Sequence, residues 1–118
     1  MIFADNAGGD FDHHFRAMMK RVLPNHKLVE IANDDPIYTA PYFFPNGAPR
    51  FFHHSRNNSG ALGIKNNGRW VVFYHQGDIG DAWKGAGLTE QQRTDAFKMG
   101  ANVISYAFGA YLENLSQE

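Results

Sequence analysis

Three side chains suited to acid–base or metal chemistry lie close together in the sequence. His75, Asp78 and Asp81 follow directly after the apolar stretch 70–74, and glycines separate them. An imidazole and two carboxylates can hold a divalent metal, or form a general base with an orienting partner. The spacing therefore predicts a site at 75–81. The alternative is an ordinary hydrogen-bonded turn before the last helix, since Asp and Gly also make turns.

The end of the first apolar run adds two further candidates. Asp5 and Asn6 follow residues 2–4, which are typical of a short buried strand. Open α/β sheets bind ligands beyond the carboxyl ends of their strands, so these side chains are expected to face the same crevice as His75. The predicted ligand-binding residues are Asp5, Asn6, His75, Asp78 and Asp81, and the predicted metal ligands among them are His75, Asp78 and Asp81.

Composition excludes several classes of function. The chain has no cysteine, which rules out disulfides, cysteine-based zinc sites and a cysteine nucleophile. Its formal net charge of −1 gives no electrostatic reason to expect a nucleic acid or an anionic membrane as partner. No apolar run approaches the roughly 20 residues that cross a bilayer, and no signal-peptide pattern is visible. A soluble protein of unspecified compartment is expected, without a cofactor unless a divalent metal is bound.

Hydrophobic periodicity outlines the elements that must position these residues. Apolar side chains spaced like one face of a helix predict a helix from Phe11 to about Pro24, and residues 27–31 alternate like a second strand. This first strand–helix–strand unit favours parallel pairing of its two strands. Residues 37–60 combine prolines with many aromatic residues, which predicts a long ordered loop.

The second half of the chain predicts a hairpin and a long helix. Two apolar runs flank Asn66-Asn67-Gly68, where the Asn-Gly pair favours a tight turn. Thr89 and Gln92 form a capping box before a helix predicted from Glu90 to Asn114, whose apolar side chains form one continuous stripe. Strand, helix, strand, hairpin and helix together predict an α/β layer arrangement.

Six segments carry a family resemblance that covers nearly the whole chain. They are Ile2–Asn6 with its Gly-Gly turn, Phe11–Pro24, Asp35–Tyr38, Gly68–Arg69, Gly77–Trp83 and Gly100–Ala107. Their order and spacing resemble the bacterial family known as domain of unknown function 4159 (DUF4159). The resemblance implies a three-layer, flavodoxin-like α/β fold similar to that of class I glutamine amidotransferases, with helices flanking the sheet. It implies no established activity. Where the family often has His before the proline, this chain has Asp35.

The resemblance also implies that part of the domain is missing. Family domains usually carry an earlier strand and helix, so residues 1–118 are expected to form a single, partial DUF4159-like domain that is truncated at its N-terminus. The missing strand would leave one edge of the sheet unpaired. Unpaired edges are templates for pairing with another chain, so a homodimer through that edge is expected.

These observations leave three functions open. The favoured interpretation is a non-catalytic module that binds a protein or a small ligand, because the usual cysteine nucleophile of the fold is absent. One alternative is a metal-dependent, hydrolase-like enzyme that uses His75, Asp78 and Asp81. The other is a structural fragment that forms homo-oligomers. A cysteine-dependent amidotransferase is excluded, and analogy of fold does not decide among the three.

Overall fold

A computed structural model describes residues 1–6, 8–49, 61–84 and 87–116. Its elements in chain order are β1 (Ile2–Asp5), α1 (Phe11–Val22), β2 (Val29–Glu30), a 3₁₀ helix (Pro36–Tyr38), β3 (Ala61–Asn66), β4 (Arg69–His75), α2 (Ile79–Lys84) and α3 (Glu90–Ser116). The four strands form one mixed sheet in the order β1-β4-β3-β2, in which only β1 and β4 pair in parallel. The predicted α/β class is confirmed.

The predicted parallel pairing of the first two strands is wrong. β2 lies at the far edge of the sheet from β1 and pairs antiparallel with β3. The parallel neighbour of β1 is instead β4, the longest strand, whose residues are mostly buried. The predicted long loop also differs, because its first part forms the 3₁₀ helix, while residues 50–60 lie outside the described part of the chain.

The hairpin between β3 and β4 follows its local sequence. Asn67 and Gly68 have φ angles of 55° and 78°, so both lie in the left-handed region. A two-residue turn of this kind matches the right-handed twist of the flanking strands, and Asn-Gly adopts it at the least steric cost. The predicted turn is therefore confirmed. It pairs Asn66 with Arg69, and an irregularity between Ile64 and Lys65 then shifts the register by one residue, which brings His75 opposite Ala61.

Helices cover both faces of the sheet, and each face has its own apolar cluster. α1 packs on one face through Phe15 and Met19, against Val72 and Tyr74 of β4. The 3₁₀ helix, α2 and α3 cover the other face, where the buried residues include Ile37, Tyr38, Phe73, Ile79, Ala82, Ala96 and Met99. None of the helices in the described ranges is long and apolar enough to span a membrane.

α3 begins as predicted, but only part of its apolar stripe is buried. At its start the Thr89 hydroxyl accepts a hydrogen bond from the Gln92 amide at 3.1 Å, and Gln92 Oε1 accepts one from the Thr89 amide at 3.0 Å. One side of the stripe packs on the core, and the other side is exposed. Ala96, Met99 and Val103 are buried, whereas the exposed apolar side chains of α3 are Phe97, Ile104, Phe108 and Leu112.

Candidate functional site

The neighbouring parallel strands β1 and β4 end at one edge of the sheet. Their last residues, Asp5 and His75, are register partners. From β1 the chain turns to α1 on one face, and from β4 it turns to α2 and α3 on the other. Open α/β sheets usually bind ligands at strand ends whose connections diverge in this way, and we call this region the crevice. Asp5, Asn6, His75 and Asp78 lie together there, and ligand binding by them stays a prediction.

Asp5 caps the short helix that follows β4. Its carboxylate accepts hydrogen bonds from the amides of Ile79 at 2.9 Å and Gly80 at 2.8 Å. A Cβ at position 80 would lie 2.8 Å from Asp5 Oδ2, so the close approach requires glycine there. Burial raises the pKa of Asp5, and the nearby charge of Asp78 adds to the rise, while the two amide hydrogen bonds oppose it.

Asp78 begins α2 in an uncommon backbone conformation. Its φ is 59°, in the left-handed region that Asp and Asn tolerate better than most residues. Its carbonyl accepts the first helical hydrogen bond of α2, from the Ala82 amide at 3.2 Å. The residue is only 5% exposed, and its carboxyl group is close enough to Asp5 to affect the pKa of Asp5. Two carboxyl groups therefore share this buried corner.

Both ring nitrogens of His75 are hydrogen-bonded to the backbone. Nε2 lies 2.8 Å from the Pro49 carbonyl, and Nδ1 accepts from the Gly77 amide at 3.0 Å. Since Nδ1 accepts, Nε2 carries the hydrogen and donates it to Pro49, and the ring is neutral. Burial lowers the pKa of His75 to about 4, against smaller opposing effects of the Pro49 carbonyl and Asp78. The ring cannot ligate a metal without giving up one of these hydrogen bonds.

Asn6 shapes the turn between β1 and α1. Its Oδ1 accepts from the Gly8 amide at 3.0 Å, and its own amide donates to the His75 carbonyl at 2.9 Å. Gly8 and Gly9 follow with positive φ angles, which glycine adopts without steric cost. Asn6 therefore joins the end of β1 to the end of β4 through its backbone and fixes the following turn through its side chain.

Residues 1–108 match the sequence profile of the family described as Domain of unknown function (DUF4159). The chain belongs to the DUF4159 family. No curated protein matches it. The matched segment includes β1, β4, α2 and thus the whole crevice of this DUF4159 protein, so the crevice is part of the family domain.

The metal prediction for the DUF4159 crevice stays a prediction. Within the described ranges, no group of three or more His, Cys, Asp or Glu side chains is arranged to hold a metal ion. The side chain of Asp81, one of the three predicted ligands, lies outside what the structure describes. His75 and Asp78 would have to supply the remaining ligands from the buried positions given above.

Two buried polar residues lie on the sheet face beneath α3, and the sequence interpretation predicted a structural role for neither Asp35 nor Asn102. Asp35 accepts hydrogen bonds from the Ile37 amide and from Trp70 Nε1, both at 3.0 Å, and so joins the 3₁₀ helix to β4. Asn102 of α3 lies under the same segment and is fully buried. An Asp before Pro, and a lone amide within an apolar helical face, are the sequence signals that could have found them.

Proposed function

We propose that this DUF4159 protein is a non-catalytic protein-binding module that pairs with a second copy of itself along β1. The observation that carries the proposal is the free edge of this strand. Among the strands of the described ranges β1 is bonded to β4 alone, and apolar side chains are exposed on both of its faces. Ile2 is 44% exposed on the face of α1, and Phe3 is 36% exposed on the face of α3.

The apolar surface continues from the strand edge onto α3. Phe3 stacks on Trp83 with ring centroids 5.9 Å apart, and Trp83 Nε1 donates to the Ala96 carbonyl at 2.9 Å. The indole also lies against Gly100, where a Cβ would be 3.2 Å from its nearest ring atom. Phe97 and Ile104, three and four positions from Gly100, are exposed on the same side of the helix. We call Ile2, Phe3, Trp83, Phe97 and Ile104 the β1–α3 surface.

A second copy suits this surface because the edge strand complements itself. The backbone N–H of Asn6 donates to β4. Since the backbone groups of successive strand residues point to alternate sides, those of Phe3 and Asp5 point away from the sheet. Two β1 strands related by a two-fold axis would pair antiparallel through these groups and bring the same apolar side chains together. The formal net charge of −1 opposes such an association very little.

The non-catalytic part of the proposal rests on the hydrogen bonds that Asp5 and His75 already make within the chain. The carboxylate of Asp5 and both nitrogens of His75 make hydrogen bonds to the backbone of this chain. Groups held in this way stabilise a turn and a helix start. A general base needs a lone pair within reach of a substrate proton, and the lone pair of His75 Nδ1 is taken by Gly77.

Ile2→Lys is expected to convert the dimer to a monomer. A charged side chain on an edge strand must be desolvated when the edge is covered, which natural proteins use to prevent such pairing. Static light scattering at tens of micromolar would give twice the 13.3 kDa chain mass for the wild type and the single mass for the variant. Val29→Lys is the matched control, because Val29 is 45% exposed on β2, the opposite edge. A monomeric wild type at this concentration would refute the proposal.

A metal-dependent, hydrolase-like activity that uses His75, Asp78 and Asp81 is the second candidate. Its supporting observation is the site's position at the divergence of β1 and β4, where two carboxyl groups lie close enough for one to raise the pKa of the other. On protein purified without a nickel column, elemental mass spectrometry would then find near-stoichiometric metal that is lost in Asp78→Ala. The control variant Asp34→Ala, at an exposed position, should retain the metal. Well-folded protein without metal would exclude this candidate.

A further inference from the structure

A cleft of about 570 Å³ lies between α1 and the β2–β3 side of the sheet, away from both the crevice and β1. Its volume is within the range of about 300–1,000 Å³ that is typical of small-molecule sites. The apolar side chains of Met19, Leu28 and Ile64 line it, and Met19 and Ile64 are almost fully buried. The cleft therefore offers a fixed apolar lining contributed by α1, the segment before β2, and β3.

The other described side chains of this lining are, apart from Pro24, all basic. They are Arg16, Lys20, His26 and Lys27. No acidic residue of the described ranges lines the cleft. Lys20 also suits the carboxyl end of α1, where cations are favourable. That effect does not account for His26 and Lys27, because both lie beyond the end of the helix.

Arg16 keeps hydrogen-bonding capacity for a ligand. Its Nε donates to Asp12 Oδ2 at 2.9 Å, within the helix. A guanidinium group has five N–H donors, so this contact uses one of them. Asp12 also accepts from the Tyr74 hydroxyl at 2.8 Å, which anchors the carboxylate and hence the position of Arg16.

His26 is held much more loosely than His75. Its Nε2 makes a long contact of 3.4 Å to Asn66 Oδ1, and its Nδ1 is buried with no hydrogen-bond partner in the described structure. A buried polar atom without a partner is costly, and a bound ligand or water commonly satisfies it. A ligand in the cleft that reaches Nδ1 would supply the hydrogen-bond partner that this nitrogen lacks.

We propose that this basic cleft binds a small phosphomonoester with an apolar body. The apolar lining takes the body, the ammonium groups of Lys20 and Lys27 neutralise the phosphate, and the remaining N–H groups of Arg16 donate to its oxygens. A planar fork and two ammonium groups are the donors that proteins use for phosphate oxygens. The chain thus carries a small-ligand site separate from its proposed protein-binding surface.

Titration of ¹⁵N-labelled protein with phenyl phosphate tests the proposal. We expect saturable shifts of the Leu28 and Ile64 amides, and Lys20→Gln should raise the dissociation constant about fivefold or more. Arg21→Gln is the matched control. It removes a neighbouring charge from the same helical turn, yet Arg21 does not line the cleft. The control should change the dissociation constant by less than about twofold.

Two further probes separate the parts of the ligand. Inorganic phosphate lacks the apolar body and phenol lacks the charge, so each should bind at least about tenfold more weakly than phenyl phosphate. Equal binding of inorganic phosphate would mean a non-specific anion site and overturn the proposal. If Arg21→Gln weakened binding of phenyl phosphate as much as Lys20→Gln, the effect would be one of diffuse charge, and the proposal would be overturned. The absence of shifts at the Ile64 amide would also overturn it.

Discussion

Asn102→Ala is expected to lower the free energy of unfolding by about 3 kcal/mol, at about 1 kcal/mol for each hydrogen bond lost. The side chain makes three of them. Its Nδ2 donates to the carbonyls of Ile37 at 3.0 Å and Tyr42 at 2.7 Å, and its Oδ1 accepts from the Tyr42 amide at 3.0 Å. These bonds join α3 to the segment that carries the 3₁₀ helix, in addition to their apolar packing and the contact of Lys98 with the Tyr42 ring.

The cost is large because the partners of Asn102 are fixed. The Ile37 carbonyl is buried beneath α3, so water does not readily replace the lost donor. Urea unfolding followed by circular dichroism measures the effect. Ser105→Ala, at an exposed position of the same helix, is the control and should change the stability by less than about 0.5 kcal/mol. If Asn102→Ala lowered the free energy of unfolding by less than about 1 kcal/mol, the three hydrogen bonds would not be a major source of stability.

Acidification from about pH 7.5 to about pH 5 is expected to remove about 2 kcal/mol of stability through His75 alone. The pKa of this residue falls from its ordinary 6.5 to about 4 in the folded protein, because burial disfavours the charged ring. Between these values the unfolded chain binds a proton that the folded chain does not. The contribution of His75 to stability is therefore complete when the pH is above its pKa in the unfolded chain. It is lost as the pH falls towards the pKa of His75 in the folded protein.

His75→Gln isolates this contribution. A glutamine amide can donate to the Pro49 carbonyl and accept from the Gly77 amide, which are the two roles of the ring, but it does not titrate. Urea unfolding midpoints of wild type and variant, measured at both pH values, give the stability that each protein loses on acidification. The variant should lose less stability on acidification than the wild type. Identical losses would mean that His75 is protonated in the folded protein at the lower pH.

The elements that local sequence determines were predictable. α1 and α3 follow from helical periodicity, the capping box of Thr89 and Gln92 starts α3, and Asn67-Gly68 sets the hairpin. α2 could not be predicted in this way. The carboxylate that caps it comes from Asp5, 74 residues earlier than the amide it binds, and periodicity carries no such information. The position of β2 beside β3 depends in the same way on non-local pairing.

The positions of the candidate site residues were predictable, but their contacts were not. The rule that ligands bind beyond strand ends places Asp5 and Asn6 near His75, where the structure has them, and ligand binding there stays a prediction. It does not show that His75 is hydrogen-bonded on both sides, because one partner is the carbonyl of Pro49 in a distant segment. The basic cleft was missed for a similar reason. Arg16 and Lys20 lie one helical turn apart, but the apolar floor of the cleft includes Ile64 of β3, and only the packing of α1 on the sheet brings it beneath them.

The capping of α2 by Asp5 makes the edge strand and this helix one cooperative unit. α2 has six residues, whereas isolated helices shorter than about 12 residues are marginal in water. When β1 detaches from β4, Asp5 leaves with it, and the first two amides of α2 lose their acceptor. Opening of the edge therefore makes fraying of α2 easier, and the two events are energetically coupled. A partner that covers β1 would hold both elements closed and slow amide exchange in α2, a helix that it need not touch.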